Sequence, residues 1–496
     1  MKVLFVASEA YPLIKTGGLA DVAGALPVAM RARGNDVRLM LPAYPKALER
    51  ARRIETASEL GELLGGHRAR LLSAAAADSD LELLLLDCPA LFARDGGPYT
   101  APSGADWADN HLRFGVLALA AAMVAVGQSG IGWRPDILHA NDWQTGLAPA
   151  YLRLAGAPNT RSVFTVHNMQ FQGRFDAEVL AALELPRLAF TMEGLEFHGQ
   201  LSMLKAGLAF ADRITTVSPT YAREIQTPEF GHGMEGLLAA RQRDLVGILN
   251  GIDDTLWNPS SDALLPARYD VASLAGKAVC KAALQEELGM AEEPGVPLIA
   301  MVGRLTEQKG VDLIAAALGR MLELDTQVAV LGAGDPHWER ALTELAVGRD
   351  RVAVRIGYDE LLAHRMIAGA DMFLMPSRFE PCGLTQMYAM RYGTLPIVRR
   401  TGGLADTVDE ASPADGAATA RGTGFLFDAA KPEALLEATR RAVTMYADKP
   451  AWRLAQRQAM QQDFSWGRAA EEYGWIYRTL APHGVAGETK VRWEAA

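Results

Sequence analysis

The feature that most constrains this chain is an alternation of short, continuous apolar runs with stretches of helical character. In the first half the runs are KVLFVAS (2–8), DVRLMLP (36–42), LELLLLDC (81–88), DILHAND (136–142), RSVFTVHN (161–168) and RITTVS (213–218). Runs that are apolar throughout, and not at every second residue, fit strands buried on both faces of a parallel sheet with helical crossovers. The intervening stretch LADVAGALPVAMRARG (19–34) closes on glycine, as helix ends commonly do. Around residue 250 the texture breaks, and LNGIDDTLWNPSSDALLPARYD gathers Gly, Asn, Asp and Pro. A second series follows: PLIAMVGRL (297–305), TQVAVLGAG (326–334), RVAVRIGY (351–358), DMFLMPS (371–377), TLPIVRR (394–400) and GTGFLFD (422–428). A helical stretch from Lys431 to about Leu480, broken near Pro450, precedes a polar tail. A chain of 496 residues exceeds what one core ordinarily supports. The expectation is therefore α/β, two doubly wound domains over 1–248 and 249–455, with a cleft between them.

Composition narrows the partners. The formal charge is −10 and the sequence pI about 5.5, which argues against duplex nucleic acid or an anionic membrane surface, since both favour a basic face. Cys88, Cys280 and Cys382 fit no zinc spacing and are too few for a disulfide framework, so a reducing cytoplasm is expected. The apolar run before Glu9 is too short for a signal peptide, and GVLALAAAMVAVG (115–127) is too short to span a bilayer.

One hexapeptide, TGGLAD, occurs twice, at 16–21 and at 401–406. Each copy follows an apolar run, and ligands of doubly wound sheets bind outside the carboxyl ends of the strands. Two readings stand: loops that approach a ligand, or strand–helix turns that share a common solution. Lys15 beside Gly17 and Gly18 brings an ammonium and backbone N–H groups together, which suits a phosphate. Asp142 in HANDWQTG and His167 in TVHNMQ both end apolar runs; a lone histidine there is more often structural, but two polar strand ends in one half make a catalytic role about as well supported. In GRLTEQKG, Arg304 and Lys309 flank a strand exit and a helix start; they form a diphosphate cradle or are surface cations. In SRFEPCGLTQMYAMRYG (377–393), Glu380 precedes CGLT, whose Gly383 opens a further helix. No G-x-G-x-x-G with a distal acid and no P-loop occurs, so hydride transfer and P-loop phosphoryl transfer lack support.

Taken in order, KTGGLADV, HANDWQTG, TVHN, NGID, GRLTEQKG, SRFEPCGLTQMYAMRYGTLPIVRRTGGLADTV and GTGFLF resemble the bacterial glycogen synthases, the ADP-glucose-dependent family shared with plant starch synthases. The resemblance runs from residue 1 to about 480 and implies a GT-B glycosyltransferase. In that fold two Rossmann-like domains face each other across a deep cleft, and the last helix, here 456–480, returns to the first domain ahead of the tail 481–496. The implied reaction moves glucose from ADP-glucose to the non-reducing end of an α-1,4-glucan with retention, with no metal and no cofactor, ADP-glucose being a substrate. Lys15 and Gly18 are then expected at the donor phosphates or sugar, and Arg304 and Lys309 at the diphosphate. Glu380, Cys382, Gly383, Leu384 and Thr385 are expected along the donor glucose and distal phosphate. His167 is expected at the glucose 6-hydroxyl with Asn168 nearby, Asp21 and Asp142 near the reacting centre, and Glu9 on the acceptor side.

Departure of a diphosphate from a sugar puts positive charge on the ring and negative charge on the phosphate. Fixed cations and carboxylates at those two places are the expected catalytic means. Retention ordinarily suggests a nucleophile on the opposite face; no motif assigns one, and front-face attack with the leaving phosphate taking the acceptor's proton is the favoured reading. Two competing readings are a glucan phosphorylase-like enzyme, which needs pyridoxal phosphate on a lysine, and a non-catalytic glucan-binding protein on a transferase fold. Retained charges at Lys15, Arg304, Lys309 and Glu380 weigh against the second.

Overall fold

The computed structural model describes residues 1–156, 159–412 and 421–481; the polar tail from residue 482 on lies outside the described residues. Contacts divide the chain into two units, one of Met1–Gly251 with the chain from Trp466 on, the other of Ile252–Ser465.

In the first unit the strands are β1 (Lys2–Val6), β2 (Asp36–Pro42), β3 (Ala51–Leu63), β4 (His67–Ala76), β5 (Glu82–Asp87), β6 (Ile137–Asn141), β7 (Arg161–Val166), β8 (Arg174–Asp176), β9 (Glu196–Phe197), β10 (Gln200–Ser202), β11 (Arg213–Thr216) and β12 (Leu245–Gly247). Nine of them form one sheet in the order β12-β11-β7-β6-β1-β2-β5-β4-β3. The pairings from β12 to β5 are all parallel, and β4 and β3 extend the edge as an antiparallel hairpin. β8, β10 and β9 make a separate small antiparallel sheet. The chain leaves β1 toward β2 and comes back on its other side as β6, so the strand order reverses between β1 and β6. Residues of β1 from Val3 to Val6 are fully buried, as strands covered on both faces must be.

Helix Trp466–Leu480 belongs to this unit and packs on helix Gly18–Ala32. Its Tyr477 hydroxyl lies 2.6 Å from His139 Nδ1 on β6, and His139 Nε2 lies 2.6 Å from Thr165 Oγ1 on β7. Burial holds His139 down to about 3, so it is a neutral hydrogen-bonding bridge between sheet and helix.

The second unit has six strands, β13 (Leu298–Val302), β14 (Gln327–Gly332), β15 (Val352–Ile356), β16 (Met372–Met375), β17 (Leu395–Arg399) and β18 (Phe425–Phe427). They form a wholly parallel sheet in the order β15-β14-β13-β16-β17-β18, which reverses between β13 and β16. The expected single helix over 456–480 is in fact two. Pro450 opens helix Lys449–Met460, whose Trp452, Ala455 and Ala459 are buried within the second unit. Residues 461–465 then carry the chain to helix Trp466–Leu480. The unit boundary falls at Gly251/Ile252 and again at Ser465/Trp466, against the expected 248/249 and 455/456.

Candidate active site

Both sheets reverse their strand order beside their first strand, and a crevice outside the carboxyl ends opens at such a point. The sequence candidates divide between the two crevices.

In the first unit, the loop after β1 carries Glu9, Lys15 and the first TGGLAD copy. Glu9 is 2% exposed. Its Oε2 accepts bonds from Thr16 N and Thr16 Oγ1, each at 2.5 Å, and burial pushes its pKa up. Glu9 therefore ties the KTGG loop back to the end of its own strand. Lys15 is exposed and pairs with Asp21 at 2.7 Å, so these two meet at the first turn of helix Gly18–Ala32. A Cβ at Gly18 would meet nothing within 4 Å, which leaves that backbone open to approach.

Asp142, directly after β6, has φ 57° and ψ 179°, a conformation that costs of order 1–3 kcal/mol in a residue with a side chain. Its Oδ1 accepts the His167 backbone N–H at 2.7 Å, and the Asn168 N–H also bonds to its carboxylate. Burial pushes Asp142 up to about 7. So β6 and β7 are tied at their exits, and Asp142, His167 and Asn168 come together. Asn141 Nδ2 donates to Val6 O at 3.0 Å, which makes its Oδ1 the acceptor facing His167 Nε2 at 3.0 Å. That assigns the proton to Nε2 and leaves Nδ1 as acceptor. Burial lowers His167 to about 3, so the ring is neutral at pH 7.

In the second unit, the loops after β13 and β16 interlock. Arg378 N donates to Gln308 O at 2.8 Å, and Gln308 Nε2 to Phe379 O at 3.4 Å. Lys309 Nζ lies 2.5 Å from Glu380 Oε2, and Ser377 Oγ donates to the same oxygen at 3.0 Å. Glu380 is 6% exposed, while Arg304 is exposed and, among the described residues, its guanidinium bonds only to Gln308 Oε1, at 3.2 Å. Gly310 follows Lys309 with φ 71°, and a Cβ there would stand 2.2 Å from Pro376 O; only glycine lets the two loops close up. Cys382 is buried, and Gly383 has φ 74°. Gln386 Nε2 bonds to Cys382 O and Gly383 O, each at 3.1 Å. This fixes the CGLT turn, so that Leu384 caps helix Thr385–Arg391.

Asn141, Ser377, Gln308 and Gln386 are the positioning residues that sequence reasoning passed over. Each neighbours a motif residue; the bonds of Ser377 to Glu380 and of Gln386 to Cys382 are local, whereas those of Asn141 to His167 and Gln308 to Phe379 join segments far apart in sequence. Among the described residues, no group of three or more His, Cys, Asp or Glu is placed to hold a metal ion, and no helix is long and apolar enough to cross a membrane.

Comparison with known proteins bears on both units. Residues 2–240 match the family profile described as starch synthase catalytic domain, and residues 288–459 that of glycosyl transferases group 1. Glycogen synthase 1 of Methylococcus capsulatus is 51% identical over 480 residues, 96% of each chain. Glycogen synthase of Rhodospirillum rubrum is 52% identical over 483 residues, covering 97% of this chain and 98% of that one. Among solved structures, the catalytic domain of starch synthase IV from Arabidopsis thaliana, bound to ADP and acarbose, superposes with a TM-score of 0.86 at 33% identity, covering 97% of this chain and 99% of that chain. Sucrose-phosphate synthase from Thermosynechococcus elongatus, at 18% identity and a TM-score of 0.58, shares the fold alone.

Proposed function

Because this chain belongs to the bacterial glycogen synthase family, we propose that it is a GT-B glucosyltransferase of glycogen synthesis, moving glucose from ADP-glucose to the non-reducing end of an α-1,4-glucan with retention at the anomeric carbon. The observation that carries this reading is near-half identity over almost the full length of glycogen synthases. The ADP held by the Arabidopsis starch synthase supports an ADP-sugar donor.

In this reading Lys309 and Arg304 receive the diphosphate. Lys309 is paired to Glu380 at 2.5 Å, and arrival of a dianion gives the ammonium a second partner while Glu380 turns to the hydroxyls of the donor glucose. Cys382, Gly383, Leu384 and Thr385 line the sugar and the distal phosphate. His167, neutral and with Nδ1 as acceptor, takes a hydrogen bond from the glucose 6-hydroxyl. Asn168 stands beside it. Asp142 positions His167, and near neutrality its carboxyl lies close to its titration point. Lys15 and Gly18 serve the donor side of the first unit's crevice, and Asp21, paired with Lys15, stands near the reacting centre. Glu9, being buried, supports the acceptor side through the KTGG loop that it holds.

The chemical step breaks the bond between C1 and the β-phosphate oxygen and joins C1 to the acceptor O4. The O4 proton passes to the phosphate oxygen, and ADP departs. Negative charge grows on that phosphate, so a fixed cation there lowers the barrier more than it tightens ground-state binding. We place the enzyme in the cytoplasm, with ADP-glucose and the glucan as its partners, and with neither nucleic acid nor membrane among them.

Release of ADP on mixing protein, ADP-glucose and glycogen is the test. Turnover is expected in the presence of EDTA, with kcat/KM higher for ADP-glucose than for UDP-glucose. No ADP release, or a preference for UDP-glucose, refutes the assignment; a need for added magnesium or manganese refutes its metal-free part.

A further inference from the structure

The second unit has another concavity, at the edge of its sheet opposite to Lys309 and Glu380. A cavity of about 820 Å³ is lined by helix Ala275–Leu288 and helix Lys449–Met460. Asp371, immediately before β16, and Pro294, ahead of β13, also line it, so it opens at the amino ends of the strands. The five residues of β13 put about 16 Å between the two edges. The volume falls within the range of small-molecule sites, about 300–1,000 Å³.

Its charge is unusual for a protein of net charge −10. Lys277 and Lys281 stand four residues apart on one helix, and Lys449, Arg453 and Arg457 repeat every four residues on the other. The acids on the wall are Glu292 and Asp371. Like charges at this spacing repel along a helix. Lys281 is compensated, by Asp371 at 2.7 Å. Lys277, Lys449, Arg453 and Arg457 are in no ion pair among the described residues. Lys277 is 6% exposed, and its ammonium donates only to neutral oxygens, Ala368 O at 2.8 Å and Thr394 Oγ1 at 2.6 Å. Burial lowers it to about 7, against the opposing pull of the Asp371 carboxylate nearby. Gln285, fully buried on the same wall, donates from Nε2 to Gln327 Oε1 at 2.6 Å, and its Oε1 has no partner. Trp452 adds an aromatic surface.

We propose that this cavity binds a small phosphorylated metabolite, with the phosphate held by Arg453, Arg457 and Lys277 and a hydroxyl of the remainder donating to Gln285 Oε1. Several uncompensated cations suit a dianion better than a carboxylate, and the buried acceptor calls for a hydrogen-bond donor on the rest of the ligand.

The test is calorimetry on the full chain with ADP present in excess, so that the donor site is filled. Glucose 1-phosphate, AMP and inorganic phosphate are titrated separately. One equivalent of glucose 1-phosphate or of AMP is expected to bind, and which of the two does so distinguishes a sugar phosphate from a nucleotide. Arg453→Glu with Arg457→Glu should weaken that binding at least tenfold, and Lys309→Ala should leave it unchanged. Both arginines are exposed, so the fold should persist, which a melting curve checks. Failure of both phosphoesters to bind, binding of inorganic phosphate alone, binding that survives the double substitution, or binding lost in Lys309→Ala would each overturn the proposal. Because binding is read without turnover, its failure is separate from a failure of the transferase assignment.

Discussion

In the first TGGLAD copy Thr16, Gly17 and Gly18 are exposed; in the second, Thr401, Gly402 and Gly403 are buried. A Cβ on Gly18 would meet nothing within 4 Å, whereas a Cβ on Gly402 would stand 1.9 Å from Glu380 O and one on Gly403 2.1 Å from Cys382 O. Gly403 N also donates to Glu380 O at 3.1 Å. The cause is the length of chain before each copy. Residues 7–17 separate β1 from its helix and have room to fold over Glu9, while only residues 400 and 401 separate β17 from helix Gly402–Thr407. The short connection is driven against the Glu380–Cys382 backbone. The same six residues thus keep one backbone open to approach and let another pack at a distance no side chain allows. The second copy is a strand–helix turn that supports Glu380, and the first is the candidate ligand loop.

The largest expected effect strikes the pair that the second copy supports. Lys309→Ala should lower kcat on the order of 10²–10³, about 3–4 kcal/mol, while KM for ADP-glucose changes less. Lys309→Arg should recover only part, since a planar fork does not replace a compact ammonium. Steady-state kinetics with a melting curve on the same samples decides it; near-normal kcat, or activity lost only through unfolding, removes the leaving-group role. Next in size is Gly403→Ala. Its methyl meets backbone that cannot yield, so a loss of about 1–3 kcal/mol in unfolding free energy is expected, together with lost turnover through a displaced Glu380. An unchanged denaturation midpoint would mean that the second copy has slack, and the contrast between the copies would fall.

Much of the fold was legible because most strands are buried on both faces. DVRLMLP became β2 over the same residues, and PLIAMVGRL contains β13 with its exit. The hairpin β3–β4 left no such signal. β3 is a largely exposed edge strand, ARRIETASELGEL, with register shifts near Arg52, Thr56 and Glu59, so it shows neither a continuous apolar run nor a clean alternation. In the site, charged residues at strand exits were readable from their positions: Asp142, Lys309 and Glu380. What the sequence hid is the pairing between exits. Nothing local says that Lys309 meets Glu380, that Asp142 binds the backbone of His167, or that Glu9 turns inward to Thr16; topology decides those. The helix over 456–480 was misjudged because residues 461–465 separate two amphipathic helices that belong to different units.

A third effect contrasts the two crevices by charge. Lys309 and Glu380 compensate each other, but among the described residues the Asp142 carboxylate is met by backbone N–H groups, those of His167 and Asn168, and burial pushes it up to about 7, against an ordinary value of about 3.9. Between those two values the folded protein holds a proton that the unfolded chain has released. Stability therefore falls as pH rises through that window, then levels off above it. From pH 6 to pH 7 the loss should be about 1 kcal/mol. Asp142→Asn, whose carbonyl still accepts the His167 N–H, should flatten the curve. Chemical denaturation at the two pH values measures it, and parallel curves for the two proteins would show that Asp142 does not titrate there.

The smallest expected effect, and the sharpest test of the comparison, is Gly18→Ala. Gly18 begins helix Gly18–Ala32, is exposed, and has open space where a Cβ would go. Alanine there restricts the unfolded chain and suits a helix, so stability should hold or rise by about 0.4–1 kcal/mol. If this backbone approaches the donor, the added methyl intrudes on the ligand and on nothing in the protein. KM for ADP-glucose should then rise by up to about tenfold, about 1.4 kcal/mol, with no loss in the denaturation midpoint. Gly403→Ala is expected to show the reverse order, a large change in midpoint with turnover lost as its consequence. A fall in midpoint for Gly18→Ala as large as that for Gly403→Ala would make both copies packing turns. An unchanged KM with an unchanged midpoint would leave the first copy exposed but without a ligand, and Lys15 and Gly18 would have to be withdrawn from the donor site.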